Sequence, residues 1–125
     1  MQNTTPVTLV GVPTNLGASN LGVEMGPNAH RYNNLVSTLQ RTGLAITDIG
    51  NVACHDRWKV PVGDNPKMRY VNEIIRISTD TAHAVSSAIN KDNKVIVLGG
   101  DHTTCLGAVS GASAAVDGDI GLRAR

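Results

Sequence analysis

Lys94-Val95-Ile96-Val97-Leu98-Gly99-Gly100-Asp101-His102 is the stretch on which the reading of the fold turns. Its apolar run is rich in β-branched residues and lacks polar alternation, which predicts a strand buried on both faces, as in a parallel sheet covered by helices. Gly99 and Gly100 permit a tight backbone path, and Asp101-His102 stands where that strand ends. The small-residue run Thr103 to Ala115, rich in Ala, Gly, Ser and Leu, predicts a helix packed closely against its neighbours, with Thr103 able to cap it. Ligands of open α/β sheets gather beyond the carboxyl ends of the strands, so polar residues at this place carry more functional weight than elsewhere.

Working back from that strand, Asp92-Asn93 reads as a turn, and the segment from Lys67 to Asn90 as a long amphipathic helix. Val71, Ile74, Ile75, Ser78, Ala82, Val85, Ala88 and Ile89 recur there at helical spacing. Asn51 to Pro66, with its prolines and mixed charge, is predicted to be irregular. Leu44 to Gly50 reads as a further strand. A helix is expected to start at Pro27, because proline suits the first helical position, and to end at Gly43. Ala29, Tyr32, Leu35, Val36 and Leu39 would form its apolar face. Val7 to Val12 is β-branched and apolar, a buried opening strand. The alternation of strands and helices predicts a doubly wound α/β layer. Downstream, Asp117-Gly118 is a turn and Asp119-Ile120-Gly121-Leu122 begins another strand, yet Arg123-Ala124-Arg125 stands where apolar residues are expected to continue.

Composition narrows the classes of function. The 125 residues suffice for one modest domain, and 41% apolar against 17% charged residues permits a packed core. With no Phe, Trp58 as its one tryptophan and Tyr32 and Tyr70 as its tyrosines, that core must be aliphatic. A net charge of +1 without basic runs excludes the electrostatic footprint of a nucleic-acid binder. No stretch approaches a membrane span, the N-terminus lacks a leader pattern, and Cys54 and Cys105 form no CxxC pair. A reduced, cytoplasmic setting is therefore expected.

A rigidly held neutral imidazole is a good metal ligand, and His102 has the position for one. Position alone leaves it equally a histidine hydrogen-bonded beside a turn. Asp101 could orient such a site or cap the following helix, and the local sequence favours the cap. His30, His55 and His83 read as surface or packing residues, Cys105 as a small packed side chain, and Trp58 as a partly covered loop residue. Gly11, Gly17, Gly22 and Gly26 do not form G-x-G-x-x-G, nor is there a G-x-x-x-x-G-K, which argues against nucleotide binding.

The strand, Gly99-Gly100-Asp101-His102 and small-residue helix together resemble the ureohydrolases, the arginase and agmatinase family. Leu9-Val10-Gly11-Val12-Pro13, Asn15-Leu16-Gly17 and Gly22-Val23-Glu24-Met25-Gly26-Pro27 resemble that family's first strand, glycine-rich loop and helix start, in the same order. The last of these is similar to the arginase form rather than the agmatinase one. The resemblance spans roughly residues 6 to 122 and implies a three-layer α/β/α fold with a mainly parallel sheet. It also implies hydrolysis of L-arginine to L-ornithine and urea at two Mn²⁺ ions, whose bridging hydroxide attacks the guanidinium carbon. Agmatinase, guanidinobutyrase and formimidoylglutamase are sister activities, and a non-catalytic interaction module is the alternative of another class. Of the family's ligands, the histidine of Gly-Gly-Asp-His, an Asp-Ala-His-x-Asp and a later Asp-x-Asp, only His102 maps here. Residues 1–125 are accordingly expected to be the N-terminal portion of a single ureohydrolase domain, truncated before the second metal-binding motif, incomplete as a fold, inactive alone and prone to aggregate through an open sheet edge. Trimers or hexamers, common in the family, are the implied assembly of the complete protein.

Overall fold

The computed structural model describes residues 5–123. Strand β1 (Val7–Val12) is buried at every position. It lies between β2 (Ile46–Asn51) and β3 (Lys94–Gly99), and all pairing is parallel. The β1–β3 register runs without interruption from Val7 opposite Lys94 to Val12 opposite Gly99, whereas the β1–β2 register shifts between Leu9 and Gly11.

Helices cover both faces of this sheet. A Cβ on Gly11 would lie 2.9 Å from Pro27 Cβ, in α1 (Gly26–Tyr32). The next residue, Val12, packs instead with Leu16, Tyr70 and Ile77, the last of these in α3 (Val71–Asn90). Successive strand residues face opposite sides, so α1 and α3 flank the sheet from opposite faces, and the α/β/α layering follows.

Helix α4 (Thr104–Ala115) lies against α3 through Gly107 and Gly111, both buried. A Cβ at Gly107 would stand 2.6 Å from the Ser78 carbonyl oxygen, and one at Gly111 2.5 Å from that of Ala82. Their four-residue spacing places both on one side of the helix, so the small-residue run is the close-packing surface it was expected to be.

Several expectations need correction. The helix from Pro27 to Gly43 is interrupted: α1 stops at Tyr32, Asn34 adopts a left-handed conformation (φ 62°), and α2 spans Leu35–Arg41. Asparagine tolerates that conformation better than most residues, and two in succession offer the chain a break. Tyr32 is consequently 85% exposed and belongs to no apolar face. The long helix starts at Val71, not Lys67, and its buried seam is Ile77, Thr81, Val85 and Ala88, while Ile75 is exposed. Strand β3 is only half-buried along its apolar run, because it is an edge of the described sheet. Among the described residues Asp119 to Leu122 has no strand partner and forms no strand. Trp58 is 72% exposed rather than partly covered. The final Ala124-Arg125 lies outside the described residues.

The irregular segment after β2 is pinned to α3 by charge. Arg76 donates to the Ala53 carbonyl (2.8 Å) and, through Nε, to Glu73 (3.0 Å), which also meets His55 Nδ1 at 2.8 Å. Hydrogen bonding from Arg76, opposed by burial and reinforced by His55, holds the Glu73 carboxyl at about 2 against an ordinary 4.5. A depressed folded-state value means the contribution is complete above pH 4.5 and is lost as the pH falls towards about 2. Denaturant midpoints are therefore expected to fall across that window in the wild type, and Glu73→Gln to flatten that part of the profile. Equal slopes in the two proteins would remove Glu73 as the cause.

Candidate functional site

The rim is built where β1 and β3 end side by side. Gly100 N–H donates to the Val12 carbonyl and Asp101 N–H to the Thr14 carbonyl, each at 2.9 Å, so the β3 exit is stitched to the β1 exit. Gly100 has no room for a side chain: a Cβ would lie 2.7 Å from Thr14 N and closer still to its carbonyl oxygen. The start of α1 reaches the same place, since a Cβ on Gly26 would stand 2.7 Å from the Gly99 carbonyl oxygen. Both sequence motifs that are distant along the chain thus meet at one end of the sheet.

Asp101, 9% exposed, organises this junction. Its Oδ2 accepts the Gly17 N–H at 2.7 Å, and Oδ1 accepts the Thr103 N–H at 2.8 Å as well as the Thr103 hydroxyl. The carboxylate therefore caps the turn leading into α4 and also clamps the glycine-rich loop. The first role differs from the expected helix cap, since the N–H it holds belongs to Thr103, just before α4 begins. The second links residues far apart in sequence and has no local signal. Thr103, expected to cap α4, has no side-chain cap bond there, because its hydroxyl is turned to Asp101.

His102 follows on this anchored turn and is exposed. Its carbonyl accepts the Cys105 N–H at 3.1 Å, so its backbone is fixed by the first turn of α4. Among the described residues no group of three or more His, Cys, Asp or Glu side chains is placed to hold a metal ion. One imidazole beside a carboxylate already accepting from Gly17 and Thr103 does not by itself fit a two-metal centre. His30 and His83 are exposed on α1 and α3, and His55 is paired with Glu73. Both cysteines are free, and burial pushes the Cys54 thiol up to about 11, which keeps it un-ionised at neutral pH.

Among the described residues no helix is long and apolar enough to cross a membrane. The fold and its rim define an α/β/α protein with a parallel sheet, and the comparisons say of which kind. The model of the arginase family matches residues 5–122, and the chain belongs to that family. It is 35% identical over 107 residues to an arginase from Brevibacillus brevis, a match covering 86% of this chain and 35% of that one. With an arginase from Staphylococcus aureus strain MSSA476 it shares 34% identity over 120 residues, covering 90% of this chain and 38% of the other. The solved arginase of Bacillus caldovelox superimposes with a TM-score of 0.81 at 28% identity, over 89% of this chain and 37% of that structure. The chain thus spans little more than a third of the length of the relatives it matches.

Proposed function

We propose that the chain is the N-terminal portion of a single ureohydrolase domain, and that the complete domain hydrolyses L-arginine to L-ornithine and urea. Membership of the arginase family supports this reading. The observation that carries it is an exposed His102 held on a rigid turn at the carboxyl end of β3, where α/β sheets place their ligands. In this reading His102 is one ligand of a two-manganese centre. Manganese favours oxygen donors, and these would come from residues beyond those described, since Asp101 is engaged in holding the turn.

The reading expects the genomic sequence beyond the Arg125 codon to encode an Asp-Ala-His-x-Asp at the end of the next strand and an Asp-x-Asp further on. Their absence from every frame would defeat it. The purified chain alone, given Mn²⁺ and L-arginine, is expected to release no urea, because one imidazole cannot hold two cations. Manganese-dependent urea release would overturn that part. Running the restored domain on agmatine and guanidinobutyrate alongside L-arginine separates the sister activities.

A further inference from the structure

Beside the rim lies a cleft of about 340 Å³ whose walls include the Gly17–Ser19 loop, Arg57, Lys67, Arg69 and Tyr70. No Asp or Glu lines it. Among the described residues none of its three cations has a carboxylate within salt-bridge distance, although Arg31, Lys59 and Arg76 all do. Arg57 directs one nitrogen to neutral acceptors, the carbonyls of Asn15 and Ala18 (2.7 Å to the latter), while its Nε is buried without a partner. Glu24, near enough to feel Arg57, is engaged by the Gly22 N–H at 2.8 Å.

The cations are also gathered rather than dispersed. The Arg57 and Arg69 guanidiniums stand 5.7 and 5.6 Å from the centroid of the same Tyr70 ring, within cation–π range. Tyr70 is buried and left-handed (φ 58°), a backbone state that is unfavourable for a non-glycine residue and tends to persist at functional sites. It caps the start of α3, whose dipole adds partial positive charge at the same place. Like charges collected with no carboxylate in salt-bridge distance repel one another, and an anion relieves that repulsion.

We propose that this cleft binds a small oxyanion, a phosphate or carboxylate group, through Arg57, Lys67 and Arg69 alongside the Gly17–Ser19 loop. Gly17 both lines the cleft and donates to Asp101, so the bound group sits next to the turn that carries His102. The site is independent of the arginase reading, since it needs neither metal nor urea release.

Equilibrium dialysis of the chain against radiolabelled inorganic phosphate, at fixed ionic strength, tests it. Saturation at one phosphate per chain is expected, with saturable shifts of the Arg57 and Arg69 Nε–H resonances in the isotope-labelled protein. The double variant Lys67→Gln/Arg69→Gln changes two exposed side chains and is expected to weaken binding at least about tenfold, whereas Lys59→Gln, outside the cleft, leaves it unchanged. Should the double variant lose its far-ultraviolet circular dichroism, Lys67→Gln alone serves, with a smaller loss in the same direction. Acetate that competes for the same resonances assigns a carboxylate; acetate without effect on saturable phosphate binding assigns a phosphate. Uptake that rises linearly without saturation, or that is equal in the wild type and folded variants, overturns the proposal.

Discussion

Gly100→Ala is expected to cost about 3 kcal/mol of folding stability or to prevent folding, because the added methyl group meets backbone rather than a movable side chain. Its Cβ would stand 2.7 Å from Thr14 N and 2.9 Å from Thr14 C. Thr14 cannot retreat freely, since its N–H donates to the Val12 carbonyl and its own carbonyl accepts the Asp101 N–H, both at 2.9 Å. Relief of the clash therefore breaks the bonds that join the ends of β1 and β3. The loss is a large part of the roughly 5–15 kcal/mol that holds an ordinary domain together. Denaturant midpoints read it directly, with Gly121→Ala as the control, since nothing lies within 4 Å of a Cβ there. Equal midpoints for Gly100→Ala and the wild type would show that the two strand exits are not tightly stitched.

Asp101→Ala is the second large effect. It leaves the Gly17 and Thr103 N–H groups, whose bonds to the carboxylate are partly buried, without their acceptor, and hydrogen bonds to a charged group are worth about 1.5–3 kcal/mol each. A total near 3 kcal/mol or above is expected. Asp101→Asn rescues little of it: an amide offers one acceptor oxygen, and its NH₂ must then face either the Gly17 N–H or the Thr103 N–H, donor against donor. Two readouts separate anchoring of the loop from general destabilisation. Hydrogen exchange at Gly17 and at Thr103 is expected to accelerate in both variants, while exchange in the α3–α4 seam, at Val85 and Gly111, accelerates only to the extent of the global loss. Unchanged protection at Gly17 would remove Asp101 as the clamp of the glycine-rich loop.

Much of the fold can be read from local pattern. Val7–Val12 is recognisable as a buried strand because every position is apolar, small or β-branched, and it is buried on both faces. The small-residue run from Thr103 to Ala115 foretells a close helix contact, and the structure places Gly107 and Gly111 against α3. Where local pattern misleads, a neighbour decides. Val95 to Leu98 has the composition of a central strand, yet it is half-exposed at an edge of the described sheet. Ile75 has the right period for the buried face of α3, but the buried seam runs through Ile77, which packs with Val12 of β1, and Thr81, which lies against Gly107 of α4. The break at Asn33-Asn34 carried a signal in the paired asparagines that the apolar period concealed.

The candidate site divides in the same way. His102 at a strand tip, with two glycines before it, is legible from nine consecutive residues. The clamp from Asp101 to Gly17 spans 84 positions of chain, and the gathering of Arg57, Lys67 and Arg69 around Tyr70 has no motif at all. Backbone preference and apolar period act over a few residues, so they set which segments become strands, helices and turns. Parallel pairing of β1 with β3 brings the distant loops to one rim, and that proximity gives Asp101 a distant donor, Gly17, beside its local one, Thr103, and a histidine a fixed place to stand, while the Gly17–Ser19 loop meets Arg57, Lys67 and Arg69 in one cleft.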